Sequence, residues 1–252
     1  MSPYEWPLDW DTLVVVPAMT MAYVWAQRRW PAPTERRVAF ALSQLLVLAV
    51  MLTPVETIAL HYLLSAHLLQ NVVLAEWAPA LVVLALPPAA VAAARRSGAL
   101  RVLTHPLVAL PLWLVTYYAW HVPAAYDTAL RHPGTLLHLE HLCYFVTGVL
   151  MWWPVLTNQL APGAAAGYLF LAFALASPLG LLLALIPDAV YGFYKSAPRI
   201  WGLGALHDQQ LAGMTMAIEE AIVFSVAFAV YFVRFMRREE SALRFEDARW
   251  TK

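Results

Sequence analysis

Charge is scarce in this chain. Of its 252 residues, 13% are charged and 62% are hydrophobic, whereas an ordinary soluble domain carries about a quarter charged residues. A soluble fold of this length needs a charged shell around its core. The sequence does not hold enough charge to build one, and lipid as solvent removes the requirement. Cysteine is scarcer still: Cys143 stands alone, which excludes an internal disulfide and a paired-cysteine metal site. No nucleophile triad, phosphate loop or HExxH motif is present, so nothing points to enzymatic turnover. The formal net charge is zero and the arginines sit in short loops, which argues against nucleic acid as a partner. The opening MSPYEWPLDW is acidic and aromatic. It lacks the basic n-region of a cleaved signal peptide, so the first apolar run is expected to stay as a helix.

What the sequence has in abundance is long apolar runs. A spanning helix needs roughly 20 mostly apolar residues, and seven runs qualify: about 11–27, 38–54, 59–86, 104–122, 135–157, 164–186 and 206–236. The expected fold is an all-α polytopic membrane bundle of about seven transmembrane helices over residues 1–237, with a short charged tail over 238–252. Arg28, Arg29, Arg36 and Arg37 fill the first loop, and Arg95, Arg96 and Arg101 the third. Arg237, Arg238, Arg244, Arg249 and Lys252 follow the last run, while alternate loops hold only Arg131, Lys195 and Arg199. The positive-inside rule then places the C-terminus in the cytoplasm and the N-terminus outside, which an odd number of spans satisfies. Trp10, Trp30, Trp120, Trp152 and Trp153 fall near predicted ends, as interfacial belts do. Trp77 and Trp113 sit deeper.

The eight histidines are unevenly placed. With that orientation, His61, His67, His121, His132, His138, His141 and His207 fall toward the outer surface, and only His105 toward the inner one. Imidazole suits copper, zinc and iron, and binds haem. His138 and His141 are three apart and share a helix face. His67 shares its face with Gln70 and Asn71. His207, Gln210 and Met214 fall on one stripe, and a thioether favours Cu(I). The expectation is that His67, His121, His138, His141 and His207 converge at the outer end, with Asp208 beside them. His138 and His141 lead as ligands, and Asp208 or Glu140 fixes an imidazole tautomer. The plainer alternative is a set of interfacial hydrogen-bonding histidines.

Glu76, Glu219 and Glu220 lie deep inside apolar runs. Ionisable groups at membrane depth are costly, and they either serve function or pair between helices. Three readings of the polar residues remain open: a copper site at the outer face, a membrane haem protein, or a transporter of copper or protons that uses the three acids. Pro79, Pro111, Pro154 and Pro178 interrupt apolar runs, where proline kinks a helix.

Several motifs resemble those of a known family. HLLQNVVLAEWAPALVVLALP, from His67 to Pro87, resembles the HM-x-QH…AP-x-L…G-x-P segment of the multi-spanning CtaG family of cytochrome c oxidase assembly factors. His67, Gln70, Pro79 and Pro87 match. Asn71 replaces the family's second histidine, and Ala85 stands for a glycine. WHVPAAYDTAL, from Trp120, resembles WH-x-P-x-x-Y-x-x-A-L through His121, Pro123 and Tyr126. LHLEHLCYFVTGVLMWWPV, from Leu137, resembles LH-x-x-EH…G…WWP through His138, Glu140, His141, Gly148 and Trp153. DQQLAGMTM resembles DQ-x-x-GG-x-x-M through Asp208, Gln209, Gly213 and Met216, with Ala212 for the first glycine. Glu219 and Glu220 depart from the family's continuation. The resemblance covers residues 40–235. It implies assembly of cytochrome c oxidase in a bacterial plasma (inner) membrane, with copper as cargo. The implied partners are the lipid bilayer and oxidase subunits or another copper-handling protein.

Overall fold

The computed structural model describes residues 2–250, with side chains through Ser241. Among the described residues every regular element is helical. In chain order these are α1 (Trp10–Arg29), α2 (Thr34–Met51), α3 (Pro54–His61) and α4 (Leu64–Val72), then a π turn (Val73–Trp77) and α5 (Ala78–Ala85). Next come α6 (Pro88–Ala94), α7 (Gly98–Leu103), α8 (Pro106–His121), α9 (Pro123–Arg131), a second π turn (Pro133–Leu137) and α10 (His138–Leu156). The chain ends with α11 (Pro162–Leu185), α12 (Gly192–Ser196) and α13 (Ala205–Trp250). Helix α13 carries the backbone of the charged tail onward to Trp250. Arg244, Arg249 and Lys252 lie outside the described side chains.

Four stretches are long and apolar enough to cross a membrane: Leu64–Ala85, Pro133–Leu156, Pro162–Leu185 and Ala205–Ser241. Two bent pairs raise the number to six: α2 with α3, at 48°, and α8 with α9, at 74°. Helix α1 is not in that set. Outward-facing side chains are apolar, among them Leu107, Val115, Leu181, Leu185, Ile222 and Val226. Such an apolar surface suits contact with lipid.

One expected run is corrected. Residues 59–86 do not form one helix: α3 ends at His61, Leu63 is extended (φ −128°, ψ 127°), and α4 begins at Leu64. The break is stabilised from a distance. Asp208 on α13 accepts from Leu64 N (2.7 Å), Ser65 N (3.1 Å) and Ser65 Oγ (2.6 Å). It thereby satisfies donors that a helix start leaves open. His61 therefore closes α3 and does not share a helix with His67.

Small residues set the closest helix crossings, as is usual between membrane helices. A Cβ on Gly213 would lie 2.5 Å from the Gly180 carbonyl oxygen, and one on Gly180 would lie 3.0 Å from that of Gly213, where α11 crosses α13. A Cβ on Gly148 of α10 would collide with the Ala75 carbonyl and lie 2.8 Å from Pro79 Cγ. Ala75 sits in the π turn. Pro79 follows it and has no N–H to donate to the preceding turn, and a local π widening is one way a helix absorbs such a defect. Helices α4–α5 and α10 thus run side by side in the same direction. His67 and Glu140 mark one end. At the other end Arg36 donates to Leu84 O and Leu86 O (2.8 and 2.5 Å), and Arg95 to Thr157 O (2.8 Å).

Candidate functional site

The starts of α4 and α10 and the end of α8 enclose a buried cluster of His67, His121, His141 and Glu140. The His67 and His141 rings stand edge to face, with centroids 6.0 Å apart. Tyr126, on the short α9 behind the 74° bend, packs between His67 (5.0 Å) and His121 (5.9 Å). Glu140 is fully buried; its Oε1 accepts from Asn71 Nδ2 (3.2 Å) and lies 3.9 Å from His67 Nε2.

The hydrogen bonds around the imidazoles assign their tautomers. The Tyr194 hydroxyl donates to Ala59 O (2.6 Å), so at 3.0 Å from His67 Nδ1 it accepts from that nitrogen. Burial, and then the nearby Asp208, Glu140 and Glu56 carboxyls, hold the Tyr194 hydroxyl well above its ordinary range, so it stays a donor. Tyr194 is itself placed by Asp127, whose carboxylate accepts from Gly192 N (3.0 Å) and Phe193 N (3.1 Å) at the start of α12. His121 Nδ1 sits 2.7 Å from Tyr117 O, which can only accept. Both rings therefore carry the proton on Nδ1 and turn an unprotonated Nε2 inward. Metal-binding histidines are commonly oriented in this way.

These inward atoms have no protein partner. His67 Nε2, His121 Nε2, both nitrogens of His141, Glu140 Oε2 and the Tyr126 hydroxyl are all shielded from solvent without a hydrogen bond. Each such atom costs free energy unless something pairs with it. Three imidazoles and a carboxyl make a donor set that suits copper or zinc. Their ligand atoms do not fall within the 4.8 Å mutual spread that, among the described residues, only Asp9, Asp11 and His138 reach. Closure around an ion would take rotation of the imidazoles.

The other expected site residues are dispersed. His138 points away from the cluster to Asp9 (3.7 Å) and Asp11. His207 is exposed. Asp208 is occupied by the start of α4 and not by an imidazole. Gln209 holds the turn after α11, accepting from Val190 N (2.6 Å) and donating to Asp188 O (3.2 Å). Gln70 donates to Val50 O (2.7 Å) and to Glu56. Met214 faces outward into a groove beside Trp77 and Glu219.

Glu76, Glu219 and Glu220 form a separate interior group, with Glu76 against Glu219 and within electrostatic reach of Glu220. Trp77 Nε1 donates to Glu219, and the Tyr117 hydroxyl to Glu220.

Sequence reasoning did not assign Tyr126, Tyr194, Asp9, Asp11 or Glu56 to any site. Tyr126 carried a signal, since it lies in a family-like motif. Tyr194 carried none, because a residue between the apolar runs reveals its neighbours only in three dimensions.

No curated protein and no solved structure matches the chain. The family model for the cytochrome c oxidase caa3 assembly factor matches residues 20–238. The order of the His67, His121, Glu140–His141 and Asp208 motifs agrees with that match, and the chain belongs to the cytochrome c oxidase caa3 assembly factor family.

Proposed function

We propose that this protein assists maturation of cytochrome c oxidase by binding copper at the outer face of a bacterial plasma membrane and passing it on. The observation that carries the reading is the pair of inward Nε2 atoms on His67 and His121, with His141 and Glu140 beside them, all buried and unpartnered. Fixed Nδ1 tautomers leave these nitrogens as lone-pair donors. Tyr126 and Tyr194 exclude water from the same volume, and His141 gives the buried group a side toward a cavity. Copper is cargo here, so weak and reversible coordination serves better than a closed cage.

The proposed topology counts α1 as a seventh span beside the six candidates, with the N-terminus outside and the C-terminus cytoplasmic. The Arg36 and Arg95 end is then the inner one, in keeping with the arginine bias. The partners are the lipid bilayer and oxidase subunits or another copper-handling protein, and no catalytic turnover is required.

The test uses the full chain in its membrane. His67→Ala with His141→Ala should remove the copper held by the buried cluster, read as a lower copper content of purified protein by elemental analysis. Copper insertion into the oxidase should fall with it, while membrane accumulation stays normal. Normal copper content and normal oxidase maturation in that variant would overturn the proposal. Reporter fusions after Arg37 and Arg101 should behave as cytoplasmic and one after His132 as external; an exported reporter at Arg101 would overturn the topology.

A further inference from the structure

Asp9, Asp11 and His138 form a second group that the buried cluster does not include. Their ligand atoms all lie within 4.8 Å of one another. Asp9 is fixed as the N-cap of α1, where its carboxylate accepts from Asp11 N (3.3 Å) and Thr12 N (3.2 Å). That cap holds the carboxylate of Asp9 3.7 Å from His138 Nε2, while Asp11 pairs with the other ring nitrogen. His138 is partly exposed and Asp11 exposed, so solvent reaches the group.

An ion pair alone would account for those contacts. The second observation is what lies behind them. The three residues sit at a cavity of about 420 Å³ between α1, α2 and α10, and His141 lines the same cavity. His141 is only 8% exposed, and neither of its ring nitrogens has a partner. It follows His138 by three residues, about 4.5 Å along the helix axis. The remaining walls are largely apolar, with Val15, Met51, Leu74 and Phe145 among them. Two carboxylates, an imidazole, largely apolar walls and a buried, unpartnered imidazole thus line one cavity. From His141 the next ring, His67, is 6.0 Å away.

We propose that Asp9, Asp11 and His138 are a solvent-facing capture site for a borderline divalent cation, Cu2+ or Zn2+, which opens through this cavity onto His141. Two carboxylate oxygens and one imidazole nitrogen match the ligand types of such ions. Metal–ligand bonds of about 2 Å place opposite ligands about 4 Å apart, so a 4.8 Å spread closes by small side-chain turns. Two acids at the mouth of a low-dielectric cavity also concentrate cations there. The capture stands by itself, whereas passage to His67 rests on the copper reading above.

The experiment uses full-length protein in detergent, without a histidine tag. Cu2+ is titrated in and followed by electron paramagnetic resonance, and Zn2+ retention is measured after desalting. In the His67→Ala, His141→Ala background, one Cu2+ should remain, with hyperfine coupling to one imidazole nitrogen. Asp11→Asn with His138→Gln should remove that signal and lower Cu2+ affinity by about tenfold or more. Asp11 is exposed, so this variant should melt like the parent. An unchanged spectrum and stoichiometry in the Asp11→Asn, His138→Gln variant would overturn the capture site, as would wild-type protein that retains neither ion. The two proposals fail separately. Loss of all copper in the His67→Ala, His141→Ala background alone leaves only the inner site. Loss in the Asp11→Asn, His138→Gln variant alone leaves only the outer one.

Discussion

Where α4 and α10 begin, three imidazoles stand around a carboxyl. Nine residues further along the α4 path, about 13 Å by helix rise, Glu76 stands against Glu219 with Glu220 nearby. Both groups are buried and both are polar, but they differ in what their neighbours supply. In the acid group Glu219 and Glu220 each take a hydrogen bond from an aromatic side chain, Trp77 and Tyr117, on another helix. Those bonds tie α13 to the π turn and to α8, as pairing acids inside a bundle do. In the imidazole group the neighbours satisfy the outer nitrogens only. Tyr194 and the Tyr117 carbonyl take the Nδ1 protons, and the inward atoms are left without partners. The acids keep unpartnered oxygens too, both those of Glu76 and the Oε2 atoms of Glu219 and Glu220. What sets them apart is that two of the three acids bond across helices to Trp77 and Tyr117, whereas the imidazoles are tied only through Nδ1 of His67 and His121. Substitutions should separate the two: stability should fall at the braces, and cargo binding at the imidazoles.

The largest expected effect strikes both groups together. Gly148 lies where α10 meets the π turn, against Ala75 and Pro79 on either side of Glu76 in the chain. Gly148→Leu forces side-chain atoms into the Ala75 carbonyl and should cost about 3 kcal/mol or more. The protein should fail to accumulate in the membrane, read by immunoblot. Normal accumulation with an unchanged melting temperature would mean that the close approach at Gly148 is not required.

Asp208 comes next. Asp208→Ala removes three acceptor contacts at the start of α4 and should cost about 2–3 kcal/mol, measured by thermal melting in detergent. Asp208→Asn keeps one acceptor and should cost less. If both variants melt like the parent, the break at Leu63 does not depend on this contact.

At the acid group, Glu220→Leu strands the Tyr117 hydroxyl and should cost about 1–2 kcal/mol. Adding Tyr117→Phe should recover part of that loss, because an unmade buried bond costs more than an absent pair. Copper retention per folded molecule should stay the same in both variants. A drop in copper at unchanged stability would move the acids from bracing to cargo handling.

Much of this was legible in the sequence, and the reasons are local. The apolar runs announced helices because chain length and composition alone decide whether a helix crosses lipid. The motif around His121 and the Glu140–His141 pair pointed to the right end of the bundle. What stayed hidden depended on distant partners. The run 59–86 reads as one helix, since the Asp208 cap that permits its break lies more than 140 positions away. His138 and His141 share a helix face by spacing, yet one ring turns to Asp9 and Asp11 and the other to His67. The acidic start of the chain entered no expected site, because nothing local showed that Asp9 and Asp11 meet His138 of α10.

Tyr194→Phe should have the smallest effect on stability and therefore sharpens the comparison most. The change removes one hydroxyl and leaves the ring packed near Tyr126 and Phe193. Its stability cost should be about 1 kcal/mol, the worth of an ordinary hydrogen bond. That hydroxyl, however, receives the Nδ1 proton of His67. Without it the imidazole can rotate or take its proton on Nε2, which blocks the lone pair facing Glu140. Loss of such an orienting partner typically weakens a metal site by about 10–100-fold. Copper affinity should fall by that factor, measured by competition with a chromogenic chelator, while the melting temperature barely moves. His121 is oriented through a backbone carbonyl that no substitution removes, so copper held by His121 and His141 should persist at the weakened affinity. Equal copper affinity in Tyr194→Phe and the parent would show that His67 needs no fixed tautomer. The imidazole group would then be a set of braces like the acids beneath it.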